Sequence, residues 1–455
     1  MTFPINNPNI RAFTKQTYDQ QSLDRIWNFL QEKEALKFTA LETHLYPAAA
    51  AEDAQKTGYQ YVWVRDNVYV AYAHDVMGRY QEAAATVSAL MSYFKKIRAR
   101  FENIITHPDR SHQVMQRPHI RFDGRDLSEL DEEWEHAQND SLGYFLWFYC
   151  RLVSSDRTRG FVQLGQEEYE MLALFVLYFK TIEYWTDCDS GHWEEVRKIS
   201  ASSIGTVVAG LKELQSLHRQ NHINLETWTY CHQSSYPRIV DQLITEGQQA
   251  LDHILPWESR EPIEHARQYD SALLFLIYPL GVVSDSQAEG ILQGVSDRLT
   301  GSYGIQRYPD DSFWCRDFQD LDKSIQTAKY TQRQAWLKEN GRSVQRGEEA
   351  QWCIFDSVLS ALYGQRFQNT RDLHDLERQT HHFNRALGQI TGYEQRVISH
   401  QGHEEIVVEI PPCRCPELYY LQGDRYSPNV STPLLWAQAN LCIAFAMMQQ
   451  SIEGR

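Results

Sequence analysis

The amino-acid sequence predicts an all-α fold arranged as a single domain. Three observations carry this: apolar residues recur at helical spacing almost from end to end, convincing period-two runs are scarce, and no Gly/Ser-rich or Pro-rich hinge divides the 455 residues. A chain of this length exceeds the usual size of one domain, so one large closed architecture or two domains could accommodate it; the missing hinge favours the first.

The periodicity places about twelve helices in a row, near 22–33, 67–77, 80–104, 138–153, 166–184, 201–217, 235–253, 268–279, 285–299, 349–363, 370–388 and 432–449. Several open with a cap or an acidic first turn that complements the unpaired amide groups there, as at Asp66, Ser202 and Asp285. The irregular stretches 105–136, 300–347 and 391–431 are longer than ordinary connections and dense in Trp, Tyr, Arg and carboxylates, which marks them as carriers of function. Within the last, RVISHQGHEEIVVEI alternates well enough to predict a small β-hairpin on the helical body.

Composition excludes several classes of partner. With 60 acidic residues against 44 Lys and Arg, the formal charge of −16 repels phosphate backbones and anionic bilayers, so neither nucleic acid nor membrane is expected. The amino terminus MTFPINNPNIRAFTKQTYDQQ lacks the basic and apolar segments of a signal peptide, and no apolar run approaches the ~18 residues of a membrane span. A cytoplasmic protein is the expectation. The eight cysteines are scattered, and Cys413-Arg414-Cys415 lacks the spacing of a zinc site, so reduced structural thiols, no metal and no cofactor are expected. Residues 452–455, Ile-Glu-Gly-Arg, spell a protease-recognition sequence and read as a tag remnant, leaving 1–451 as the domain. Oligomeric state is not encoded in any visible feature.

Three short stretches carry candidate chemistry. In YVWVRDNVYV, residues 61–70, Arg65 and Asp66 stand among aromatic and β-branched residues; they fit either an ion pair at a helix start or a polar clamp beneath an aromatic-lined sugar pocket. In TDCDSGHWEEVRKISASSIG, residues 186–205, Glu194 and Glu195 are adjacent, and mutual repulsion in a buried site would raise the pKa of one. An acidic approach to a helix is the plainer account. In PELYYLQ, residues 416–422, Glu417 sits in a constrained aromatic stretch ahead of the last helix.

Taken in order, WVRDNVY, EEWEHAQNDSLGYFLWF at 132–148, HWEEVRKISASSIG at 192–205, GIQRYPDDSFW at 304–314, EEAQWCIFD at 348–356 and PELYYLQ resemble the glucoamylase-like glycoside hydrolases, family 15, over nearly the whole chain. WVRDNVY, SASSIG and PELYYLQ look particularly similar to the amino-terminal domain of phosphorylase kinase regulatory α and β subunits. The resemblance implies an (α/α)6 toroid of twelve helices, in agreement with the count from periodicity. It implies an inverting, exo-acting hydrolase releasing glucose from α-glucosides or oligosaccharides, with Glu194 as general acid and Glu417 as general base. It further implies that Arg65, Asp66, Glu195 and Arg307 contact sugar hydroxyls and that Tyr59, Trp63, Trp134, Trp193 and Trp352 line the pocket. Typical members carry Ser-Glu at the base block, where this chain reads Pro-Glu-Leu-Tyr-Tyr. Two other readings stand beside it: a non-hydrolytic glucan-binding or regulatory module, and a phosphorolytic enzyme using Lys198 with Ser200, Ser202 and Ser203 to hold phosphate.

Overall fold

The computed structural model of the chain describes residues 3–49, 59–158, 160–228, 235–321, 329–401 and 404–454; Cys231, Gly402, His403 and Arg455 lie outside these. After a short helix α1 (Pro8–Arg11), the chain alternates outer and inner helices. The six pairs are α2 (Gln20–Glu32) with α3 (Val64–Val76), α4 (Tyr80–Lys96) with α6 (Asn139–Ser154), α7 (Gln166–Thr181) with α8 (Ala201–Arg219), α9 (Tyr236–Ile254) with α10 (Leu274–Ile277), α11 (Asp285–Arg298) with α13 (Phe355–Thr370), and α14 (Leu373–Gly388) with α15 (Leu435–Glu453). Helices α5 (Arg98–Thr106) and α12 (Tyr330–Glu339) are additions.

Each inner helix packs on the next, α3 on α6, α6 on α8, α8 on α10, α10 on α13, α13 on α15, and α15 returns to α3. That closure makes the (α/α)6 toroid. The division follows from side-chain distribution: α2 and α9 bury one stripe, whereas α3, α6 and α15 are buried on nearly every face, as a helix enclosed by neighbours must be. Outer helix α7 is also widely buried because α5 packs over it. Helices α6 and α8 cross closely: a Cβ on Gly143 would stand 2.6 Å from the Thr206 and Val207 backbone, so only glycine fits.

Three small sheets decorate one end. β1 (Val62–Trp63) pairs with β2 (Arg121–Asp123), which pairs with β3 (Ser128–Glu129). β4 (Gln351–Trp352) pairs with β7 (Leu418–Gln422), which pairs with β8 (Arg425–Pro428). β5 (Gln395–Gln401) and β6 (Glu404–Ile410) form the hairpin that alternation predicts.

The differences from the sequence reading are local. The helix expected over 80–104 breaks at Ile97 into α4 and α5. The helix expected near 268–279 is reduced to α10, stopping before Pro279, which cannot continue it. The one expected near 349–363 starts only at Phe355, because Gln351 and Trp352 join a sheet instead. Helix α12 forms inside 300–347, where none was expected.

Candidate active site

Because outer and inner helices alternate, the six inner helices run parallel and present their amino ends at one end of the toroid. The chemistry-bearing segments all lie there: β1 leads into Arg65 and Asp66 of α3, Asp140 stands in the first turn of α6, the 189–200 loop enters α8, Asp270 precedes α10, β4 precedes α13, and Trp436 begins α15. Parallel helix dipoles give this end a positive potential that favours carboxylates.

The 189–200 loop is closed at its base by a two-way backbone bridge between Asp189 and Lys198 and carries its acidic residues at the tip. A single 3-10 turn over Gly191–Trp193 ends on Glu194, whose φ of 57° is left-handed and uncommon for a side-chain-bearing residue. Glu194 accepts a hydrogen bond from Arg65 Nη2 at 3.1 Å, while Arg65 Nη1 donates to Asp140 at 2.6 Å. Burial raises the Glu194 carboxyl above its ordinary range against the opposing pull of Arg65. Asp66, also buried, is pushed up to about 7 by burial; Arg65 opposes the rise, and the charges of both Glu194 and Glu417 add to it.

Glu195 turns the other way. It accepts from Tyr308 Oη at 2.5 Å, Arg307 Nη2 at 2.8 Å and Arg333 Nη2 at 3.2 Å, with Arg267 Nη2 at 3.5 Å. Burial alone would raise its pKa, but the guanidiniums of Arg307, Arg267 and Arg333 outweigh that and hold it at about 2. Arg307 spends Nε and Nη2 on Asp311, both at 2.7 Å, and lies within 5.2 Å of the Trp193 and Trp352 ring centres.

Glu417 reaches the same end from the opposite side of the chain's course. Its backbone carbonyl accepts from Cys353 N at 2.9 Å, immediately beside the β4–β7 pairing. Its carboxyl accepts from Tyr59 Oη at 3.0 Å and from Asn429 Nδ2. Burial pushes it up to about 7, moderated by these two donors and by the charge of Arg307.

Aromatic side chains connect the parts. Tyr59 packs on Trp63 at 5.7 Å and Trp63 on Trp134 at 6.0 Å, forming one wall. Arg121 lies over this wall, its guanidinium carbon 4.1 Å from the Trp134 ring centre. Trp193 packs on Trp352 at 5.5 Å, with its indole N–H donating to Asp270 Oδ1 at 3.0 Å. Trp436 packs against Trp193 at 6.4 Å and lies under Arg65 at 5.1 Å.

The family whose model matches this chain is described as Glycosyl hydrolases family 15, over residues 41–396. The chain belongs to that family. Among curated proteins, this family member is 24% identical to a probable phosphorylase b kinase regulatory subunit alpha of Caenorhabditis elegans across 87% of its own length, but spans only 31% of that protein. Among solved structures, a wild-type glycosidase superposes with a TM-score of 0.60 at 16% identity, covering 96% of this chain and 100% of that one. A glucoamylase of Saccharomycopsis fibuligera superposes with a TM-score of 0.59 at 12% identity, covering 96% and 97%. The family match ends before Glu417, so that residue's position rests on the structure alone.

The family 15 fold thus brings Arg65, Asp66, Glu194, Glu417 and the five aromatics to one end, and brings Glu195 and Arg307 together as an ion pair. Sequence reading missed Asp140, Arg121, Asp270, Arg267, Arg333, Asn429 and Trp436. Asp140 was visible inside the quoted QND segment; the others gave no local signal. The group read as a phosphate site is internally neutralised. Glu258 accepts from Ser202 N at 3.1 Å and Ser202 Oγ at 2.7 Å at the start of α8, and the buried Lys198 lies near Glu258, Asp270 and Asp189. Among the described residues no helix is long and apolar enough to cross a membrane, and no metal-binding group of His, Cys, Asp or Glu is found.

Proposed function

We propose that this family 15 member is an inverting, exo-acting glycoside hydrolase that releases glucose from the non-reducing end of α-glucosides such as maltooligosaccharides or isomaltooligosaccharides. The observation that carries the reading is the position of Asp66: its buried carboxyl lies within electrostatic reach of both Glu194 and Glu417, the two carboxyls that burial raises and that face an aromatic wall. Inversion needs two carboxyl groups around one polar floor, one protonated to act as acid and one ionised to act as base.

In this reading Glu194, whose carboxyl burial raises above its ordinary range, donates its proton to the departing glycosidic oxygen. Glu417 takes a proton from the water that attacks the anomeric carbon on the opposite face, which requires ~6.5–9.5 Å between the carboxyls to admit that water. Arg65 and Asp66 hold hydroxyls of the terminal sugar, and Tyr59, Trp63, Trp134, Trp193 and Trp352 exclude water and meet the C–H faces of the rings. We assign Glu195 to holding Arg307 rather than to sugar, since its acceptor capacity is taken by Tyr308 and three arginines. A further glycosidase of the same fold was solved with glucose, and a bacterial glucoamylase with acarbose, in keeping with a sugar-sized site. The kinase-subunit likeness supports the alternative of a glucan-binding module without turnover.

The test is the anomer first released. Maltotriose incubated with the protein and followed by proton NMR is expected to give β-glucose before mutarotation; initial α-glucose rejects inversion, and binding without release favours the alternative.

A further inference from the structure

Asp140 and His192 have no role in the hydrolytic reading above, yet both are buried beside the Arg65 clamp and the turn that bears Glu194. Asp140 Oδ2 accepts from Arg65 Nη1 at 2.6 Å, and His192 Nδ1 stands 3.8 Å from the same oxygen. Asp140 Oδ1 and His192 Nδ1 are buried and have no hydrogen-bond partner among the described residues. The His192 ring lies parallel to Phe275, with centres 5.5 Å apart and planes at 8°.

The tautomer of His192 follows from its other side. Tyr69 Oη donates to Tyr144 Oη at 3.2 Å, which leaves the Tyr144 hydroxyl hydrogen for His192 Nε2 at 3.0 Å. Burial pushes the imidazole down to about 3, so the ring is neutral and carries its one proton on Nδ1, facing Asp140. His192 sits inside the 3-10 turn Gly191–Trp193 that delivers Glu194. Asp140 therefore bears on Glu194 in two ways: through a hydrogen bond to the Arg65 guanidinium that both carboxyls share, and through an electrostatic contact of 3.8 Å, longer than a hydrogen bond, with the imidazole of the turn.

We propose that Asp140 is a positioning residue that shares the Arg65 guanidinium with Glu194 and, through His192, fixes the turn from which Glu194 projects. Two effects follow when its charge is removed, and they have one sign. Arg65 pairs more fully with Glu194, and a neighbouring negative charge disappears; each lowers the Glu194 pKa. The other charged or titratable groups around Glu194 are Asp66 of α3, Arg121 of β2, Tyr59 and, in the reading proposed above, Glu417, none of which is altered by this substitution.

The proposal rests on the reading of Glu194 as the acid, and the experiment separates the two. The whole chain and its Asp140→Asn variant are compared across pH in hydrolysis of maltotriose and of an aryl α-glucoside, and in calorimetric binding of the cationic sugar mimic 1-deoxynojirimycin. In Asp140→Asn the limb of kcat/KM that Glu194 governs is expected to move down by on the order of one pH unit, and maltotriose turnover to fall ~10–100-fold, the aryl substrate suffering less. The binding profile should move the same way, and that readout needs no turnover: a wild-type chain that hydrolyses nothing rejects the hydrolase reading while leaving the Asp140 test intact. Asp140→Glu, which keeps the charge, should restore the wild-type midpoint, and in a Glu194→Gln background Asp140→Asn should shift nothing. Unchanged profiles in Asp140→Asn, or the same shift when Glu194 is already Gln, overturn the proposal. Should Asp140→Asn fail to fold, His192→Phe keeps the stacking on Phe275 but deletes the Nδ1 proton; it is expected to lower kcat more than it raises KM, and an undiminished kcat overturns the proposal equally.

Discussion

Glu194 and Glu195 are neighbours in sequence and opposites in chemistry. Glu194 keeps 16% of its side chain exposed, shares one guanidinium with Asp140 and is raised; Glu195 keeps 1%, gathers three guanidiniums and is held at about 2. The left-handed turn at Glu194 separates the two directions, sending one carboxyl to the aromatic wall and the next into an arginine cage. Adjacent carboxylates in a buried site do not have to share one fate through mutual repulsion. Here the partners decide: burial raises the carboxyl that shares one guanidinium, and three guanidiniums lower its neighbour.

The comparison predicts its largest effect at Glu194. Glu194→Gln should reduce turnover of maltooligosaccharides by ~10²–10⁴-fold, because a poor leaving oxygen needs the proton, while an aryl α-glucoside should lose far less. Glu417→Ala should reduce both substrates alike, since the attacking water needs its base whatever departs, and added azide should restore part of the turnover. Steady-state kinetics on the two substrates read this directly. Equal losses in Glu194→Gln would break the contrast.

Glu195→Gln tests the cage. Removing one charge leaves Arg307, Arg267 and Arg333 undercompensated in a buried cluster, a loss expected to cost about 3–5 kcal/mol of stability, seen in denaturant unfolding. The sign with pH follows from the lowered pKa: the Glu195 contribution is complete above its ordinary value of 4.5 and is lost as pH falls toward about 2. Wild type should therefore approach the variant's stability only in strong acid. A variant as stable as wild type, with sugar affinity lost instead, would return Glu195 to direct sugar contact.

These predictions mark where the sequence was legible. The inner and outer helices were readable because enclosure and amphipathicity leave a period in the chain, whereas the Trp-Glu-Glu stretch by itself fits an acidic approach to a helix and Glu194 was singled out only through the family resemblance. The sheet that steadies Glu417 was not, since β4 contributes only Gln351 and Trp352, too few for a period-two signal. Nor were the partners of Glu195: Arg267 and Arg333 arrive from segments some 70 and 140 residues away, Arg333 from a helix lying in a stretch read as irregular. Adjacency suggested a repelling pair; only the tertiary contacts reveal that one member is neutralised by arginines.

A smaller effect is expected at the floor. Asp66 sits between the raised carboxyls and is itself pushed up to about 7. Asp66→Asn keeps its shape and should cost ~1–3 kcal/mol in kcat/KM through a weakened hydrogen bond to sugar, with little change in thermal midpoint. Lost stability at unchanged kcat/KM would make the Arg65–Asp66 pair structural only.

The smallest expected effect concerns the other raised carboxyl. Glu417 stands at about 7 because burial is only partly offset by hydrogen bonds from Asn429 and Tyr59. A base must be ionised to act, so activity should rise with pH through this value and set the acid limb of kcat/KM near neutrality. Asn429→Ala removes a donor that favours the charged form, so the Glu417 pKa should rise and the acid limb should move up by about one pH unit, with the maximal rate changed only modestly. The limb governed by Glu194 and its share of Arg65 should stay in place. The pH profile of this single variant therefore reads the two carboxyls independently: movement of the acid limb alone assigns it to Glu417, whereas movement of both limbs means that Glu194 and Glu417 titrate as one coupled pair.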